Sequence, residues 1–141
     1  LCGQVMPDVW MLWEELARLP DPGEEEIADW LRRRLALYSS HRAMFTVMKE
    51  AVAIEANGFD AIGRVHDGVI EVLAKGIPAF AAAMEDSAAG REARIMASLL
   101  LMQLDEFNYR LAVHGWDIDP DMAVRMMARQ IRRFIAEAPA P

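Results

Sequence analysis

From Ile95 to Leu104 the chain reads IMASLLLMQL, and on a 3.6-residue period this segment carries apolar residues on every side. Ile95, Leu99 and Met102 make one row. Met96, Leu100 and Phe107 make a second, and Ala97, Leu101, Leu104 and Leu111 a third. A helix that is apolar all round has to be covered all round. In a chain of 141 residues this predicts core on one side and a partner chain on the other. The spacing extends the helix from Glu92 to His114, with Gly115 as its stop. A second helix is expected from Asp119 to Ala136, opened by Asp119-Pro120, a capping carboxylate followed by a proline in the first turn.

The rest of the chain also reads as helix, without strand alternation or a repeat. A first helix is expected from Pro7 to Leu19, with Val9, Leu12, Trp13 and Leu16 on one face, ended by Pro20-Asp21-Pro22-Gly23. A second opens at Glu24-Glu25-Glu26, where the positive end of the helix dipole favours carboxylates. Its core face is Ile27, Trp30, Leu31, Leu35 and Tyr38, and Arg32, Arg33 and Arg34 are expected to face water. Ser39-Ser40 offers a cap or a kink before a helix with Met44, Phe45, Val47, Met48, Ala51 and Val52 inward. Asn57-Gly58 is expected as a left-handed C-cap. Asp60 is then the N-cap of a helix carrying Ile62, Val65, Val69, Ile70, Val72 and Leu73. Pro78 should end or kink that helix near Gly76. Ala79 to Met84 adds a turn or two before a Ser87–Gly90 loop. The result is an all-α bundle of about six helices, one domain over residues 1–137 with a loose tail at 138–141.

Apolar residues make up 54% of the chain, too many for a disordered segment. Ten Met and four Trp predict a soft, adaptable interior. A formal net charge of -7 argues against these residues gripping a phosphate backbone. The single Cys2 excludes an internal disulfide framework and fits a reducing, cytoplasmic setting. The most apolar stretches are broken by Glu71, Lys75, Glu85, Arg91 and Arg94, so no bilayer span and no membrane partner is expected. No basic and apolar leader opens the chain. It starts at Leu1, and Cys2-Gly3-Gln4-Val5 reads as if cut from mid-sequence.

Motifs for chemistry are sparse. His41, His66 and His114 lack partners at metal-ligand spacing, so neither a metal nor a cofactor is expected. His66-Asp67 is the one neighbouring His–carboxylate pair, but adjacent helical residues point apart. His66 is read as a surface or pocket-edge histidine, with contact to a ligand as the alternative. Asp105-Glu106 lies within the most apolar helix. It can serve as an acid–base pair or attract a cationic ligand, or it sits at the helix rim, where Arg110 stands at i+4 from Glu106. Nothing assembles a nucleophile, a phosphate loop or a dinucleotide fingerprint, so the chain is not expected to be an enzyme. Trp10, Trp13, Trp30, Phe45, Met48, Met96, Met102, Phe107 and Tyr109 fill a core by default. They can equally line a cavity for an apolar or aromatic ligand.

Trp30 followed by Tyr38-Ser39-Ser40-His41-Arg42-Ala43-Met44-Phe45 resembles the W…Y..HR.L segment of the C-terminal domain of tetracycline-repressor (TetR) family transcription regulators. Leu99-Leu100-Leu101-Met102 leading to Asp105-Glu106-Phe107-Asn108-Tyr109 resembles that family's penultimate helix, and Gln130-Ile131-Arg132-Arg133-Phe134-Ile135 its last. The resemblance covers nearly the whole chain. It implies a homodimeric, ligand-responsive repressor whose last two helices form an intersubunit four-helix bundle. The helix-turn-helix that reads operator DNA in such proteins lies N-terminal, spans roughly fifty residues, and is absent from this chain. A small apolar or aromatic effector would favour one spacing of the two DNA-reading heads, through a pivot of the Pro7–Leu19 helix.

On that reading the effector pocket is expected at Trp13, Phe45, Met48, Val52, His66, Met102, Glu106 and Tyr109. The dimer interface is expected at Leu100, Phe107, Leu111, Met127, Ile131 and Phe134. The alternative is a stand-alone helical adaptor or dimerisation module with a solid core and no effector.

Overall fold

The computed structural model describes residues 2–137; the tail expected at 138–141 lies outside the described residues. The described residues form an all-helical bundle: α1 (Cys2–Arg18), α2 (Glu24–Ser40), α3 (Arg42–Ile54), α4 (Gly58–Ala74), a single turn α5 (Pro78–Ala82), α6 (Ala88–Asn108) and α7 (Pro120–Ala136). A wider π-helical segment, Tyr109–His114, prolongs α6. Gly115 ends it with a φ of 96°, a left-handed conformation that an L side chain rarely takes.

The centre of the bundle is α2, which packs most extensively on α7 and also meets α1, α3, α6 and the π segment. Its Ile27, Trp30 and Leu31 have no exposed surface at all. Burying side chains of this kind contributes about 1.5–3 kcal/mol each. Around them close Leu16 from α1, Ile70 and Leu73 from α4, Phe80 from α5, Leu104 from α6 and Ile131 from α7. The indole N–H of Trp30 donates to the Leu12 carbonyl at 2.7 Å, fixing α1 against α2.

Several boundaries agree with the sequence reading for the reasons given there. Asp119 caps α7, its carboxylate accepting from the amides of Asp121 at 3.0 Å and Met122 at 3.1 Å. Pro78 occupies the first turn of α5, and the α7 helix stops at Ala136.

Others are corrected. The first helix starts at Cys2 instead of Pro7, because buried Val5 continues the Val9/Trp13/Leu16 stripe upstream. Pro7 removes one donor, and the carbonyl it would have served belongs to exposed Gly3. Asn57-Gly58 is no left-handed cap: Gly58 begins α4 behind Asn57. Glycine is required at 58 for another reason, since a Cβ there would lie 2.1 Å from the Val52 carbonyl oxygen. Asp60 therefore falls in the first turn of α4. The expected Ser87–Gly90 loop is the start of α6, where the Ser87 hydroxyl accepts from the Gly90 amide at 2.9 Å. Val47, expected inward, is exposed, and so is Val65 of α4.

The helix apolar all round divides as its rows predict on one side. Ala97, Leu100, Leu101 and Leu104 are buried, whereas Ile95 (63% exposed), Leu99 (50%) and Met102 (55%) face outward. No helix among the described residues is long and apolar enough to cross a membrane.

Candidate functional site

The main correction to the sequence reading is Arg34. It shares the i+3/i+4 row of Ile27, Trp30, Leu31 and Tyr38, and it is only 2% exposed. Its guanidinium carbon lies 4.4 Å from the Trp13 ring centroid, 5.0 Å from Tyr38 and 5.8 Å from Trp30. The negative faces of these rings partly replace the water a buried cation has lost. Arg34 Nη2 donates to the Tyr38 hydroxyl at 3.0 Å and to Asp105 Oδ1 at a long 3.4 Å. The other carboxylate oxygen, Asp105 Oδ2, meets Nε2 of His66 at 2.6 Å. His66 comes from α4 and is buried, whereas the Asp105 side chain keeps 42% of its surface exposed. Burial pushes the Tyr38 phenol above its ordinary value, and the Arg34 charge works against that shift. The Tyr38 ring in turn stacks on Phe45, with centroids 3.8 Å apart and planes 5° from parallel.

Hydrogen bonding in this neighbourhood is incomplete. Arg34 Nε and Nη1 are buried without a partner, and so are both side-chain polar atoms of Asn108, one turn beyond Asp105 on α6. A buried polar group left unpaired costs about 1–3 kcal/mol.

A second cluster lies on the surface. Glu106 accepts from Lys49 Nζ at 2.5 Å and from Arg110 Nε at 2.7 Å, the i+4 pairing its spacing predicted. These two cations hold its carboxyl below the usual range, the Lys49 hydrogen bond most of all. The Lys49 ammonium also sits 3.9 Å from the Tyr109 ring centroid.

The residues expected to form the effector pocket thus fall into three places. Trp13, Phe45 and His66 converge on the Arg34–Tyr38–Asp105 cluster. Glu106 and Tyr109 belong to the surface cluster, and Met48 and Val52 are half-buried on α3. Met102 borders an open groove of about 480 Å³ with Arg94, Ile95 and Leu99.

Of the residues expected at a dimer interface, Leu100, Phe107, Met127 and Ile131 are buried within the chain's own fold. Leu111 and Phe134 are half-buried, and Phe134 rests on Phe80 with centroids 5.0 Å apart. The large apolar side chains left open on these helices are instead Ile95, Met96, Leu99, Met102, Met122 and Met126. Met122 and Met126 border a second groove, of about 300 Å³, with Trp116, Ile118, Phe107 and Met127.

Sequence reasoning missed Arg34, Asn108 and Lys49. Only Arg34 carried a signal, its place in the apolar row of α2. No group of three or more His, Cys, Asp or Glu residues among the described residues is placed to hold a metal ion. Comparison with protein-family models, with curated proteins and with solved structures finds no match.

Proposed function

We propose that the chain is the C-terminal regulatory domain of a TetR-like transcriptional repressor. It dimerises through its last two helices and binds a small effector among the earlier ones. Operator binding by an N-terminal helix-turn-helix then answers to the effector. The observation that carries this reading is the apolar surface left open on α6 and α7, with Leu99 50%, Met102 55%, Met122 53% and Met126 59% exposed. Grouped apolar surface on a helix supports an interaction site. Methionine side chains adapt readily to a facing surface. Of the interface residues expected from the sequence, Leu111 and Phe134 are half-buried and Leu100, Phe107, Met127 and Ile131 lie in the chain's own core, so the proposed interface uses the exposed residues beside them.

Sedimentation of Leu99→Glu and Met126→Glu tests the dimer. Both positions are exposed, so the helical fold should survive while the dimer falls to monomer. A dimer that persists in both variants overturns this part of the reading. A stretch of about fifty residues with helix-turn-helix punctuation encoded upstream of Leu1 is the companion expectation.

One observation favours the second reading, an adaptor or dimerisation module without an effector. The two best-formed hollows among the described residues are open surface grooves and not enclosed cavities. A dimer that binds no small molecule and whose gene encodes no helix-turn-helix ahead of Leu1 would decide for it.

A further inference from the structure

Two stripes of exposed residues run along α6 and α7 at coiled-coil spacing. On α6, Glu92, Ile95, Leu99, Met102 and Glu106 follow one another at alternating steps of three and four, and all are exposed. On α7, Met122, Met126, Arg129, Arg133 and Ala136 do the same at steps of four and three. That alternation holds a stripe on one side of a helix and suits it to a facing helix. Within the chain α7 packs mainly on α2, so the two stripes do not cover each other. The charges on them are left unanswered too. Arg132 pairs with Asp21, and Glu106 is held by Lys49 and Arg110. Glu92, Arg129 and Arg133 make no ion pair among the described residues.

We infer that a second copy of this chain lays its α7 stripe antiparallel along the α6 stripe. Glu92 then meets the partner's Arg133 and Arg129, while Leu99 and Met102 meet the partner's Met126 and Met122. A two-fold axis makes this contact twice. The inference rests on the dimeric reading above and adds which helices meet and in which direction. The lengths match: at the rise of an α-helix, Glu92 to Met102 spans about 15 Å and Met122 to Arg133 about 16 Å.

Charge excludes the other arrangements, since like charges brought together suppress a wrong pairing. Facing α6 stripes would set carboxylate against carboxylate in either direction. Facing α7 stripes would set arginine against arginine or against methionine, and would leave Glu92 without a partner. A parallel α6–α7 pairing would bring Arg133 to Glu106, whose oxygens already accept from Lys49 at 2.5 Å and Arg110 at 2.7 Å. It would also bring Arg133 close to Arg110. Only the antiparallel α6–α7 contact sets the free carboxylate against the free guanidinium groups.

The test is sedimentation of the parent at low salt beside three variants: Glu92→Lys, Arg129→Glu with Arg133→Glu, and all three changes in one chain. These side chains are exposed and unpaired within the chain, so the helical fold should persist, which circular dichroism checks. Each reversal puts like charges at two symmetric contacts and should weaken the dimer about five- to tenfold. The triple variant should recover most of that loss, and salt should weaken the parent dimer. If the arginine variants fail to fold, Glu92→Lys and the salt dependence carry the test. The antiparallel pairing is overturned if a folded reversal leaves the parent's dimer affinity unchanged, or if the triple variant is no tighter than the reversals alone. It is also overturned if Glu92→Lys tightens the dimer, the result that facing α6 stripes require. A dimer that Leu99→Glu and Met126→Glu dissociate but the reversals do not touch leaves the dimeric reading standing and removes only this pairing. A parent that stays monomeric removes both.

Discussion

Arg34 of α2 lies face-on to Trp13 of α1, its guanidinium carbon 4.4 Å from the ring centroid, in a part of the bundle with almost no access to water. The pairing joins two helices through a charge that the fold only partly compensates. Replacing a buried, imperfectly paired ion by an apolar group of similar volume is often neutral or stabilising, while deleting it leaves a hole. Arg34→Met should therefore stay within about 1 kcal/mol of the parent or exceed it. Arg34→Ala should lose about 2–4 kcal/mol through the cavity beneath Trp13. Urea denaturation reads both. Equal damage from the two variants would show that the charge, and not the volume, holds the helices together.

Two glycines should respond to alanine in opposite directions. A Cβ on Gly76 would lie 1.7 Å from the Ala17 carbonyl oxygen, backbone that ties the end of α1 to the turn after α4. Gly76→Ala is expected to cost about 1–3 kcal/mol, the usual penalty of overpacking. Gly63, inside α4, has nothing within 4 Å of the corresponding position. There alanine restores helix propensity, and Gly63→Ala should add about 0.5–1 kcal/mol. Thermal melts of the pair decide it, and a stabilised Gly76→Ala would mean that α1 does not rest on this turn.

What the sequence revealed and what it hid divides along one physical line. Features fixed within a turn or two of chain were legible: the Asp119-Pro120 start, the Glu106–Arg110 pair, the apolar rows of α6, the all-helical class. Features fixed by a distant segment were not. Arg34 looked solvated because arginine on a helix normally is, and what buries it is Trp13 from α1 and Asp105 from α6. Helix geometry rightly separates His66 from Asp67, but the actual partner of His66, Asp105, stands 39 residues along the chain and left no local signal. Asp67 turns the other way, to Arg94 at 2.8 Å. Rows on α6 and α7 showed that they were apolar but not which would face the chain's own core.

The cap of α7 gives a local prediction. Asp119 satisfies two amide donors that the helix leaves unpaired, and its neighbourhood is exposed. Asp119→Ala should cost about 1 kcal/mol, while Asp119→Asn, which keeps an accepting oxygen, should cost much less. If both substitutions cost the same, the charge acting on the helix dipole outweighs the hydrogen bonds.

Acid should loosen the contact between the α1–α2 turn and α7. Asp21 accepts from Arg132 at 2.5 Å, and that hydrogen bond, then the Arg132 charge, holds its carboxyl below the ordinary value of 3.8. Glu106 is likewise held below its ordinary 4.5 by Lys49 and Arg110. A carboxyl whose value is depressed by folding contributes stability that is fully present above the unfolded value. That contribution is lost as pH falls through the folded one. The loss therefore begins near 4.5 for Glu106 and near 3.8 for Asp21 and continues downward. Both pairs are solvent-exposed, so each contributes little at neutral pH, where salt and water screen it. Asp21→Asn should then lower the urea midpoint slightly at neutral pH and flatten its decline between about pH 5 and about pH 3 by the same small amount, parent and variant converging below about pH 3. A variant whose decline runs parallel to the parent's over that range would show that Asp21 and Arg132 do not interact in solution, and the acid response would have to come from Glu106 and the remaining carboxylates.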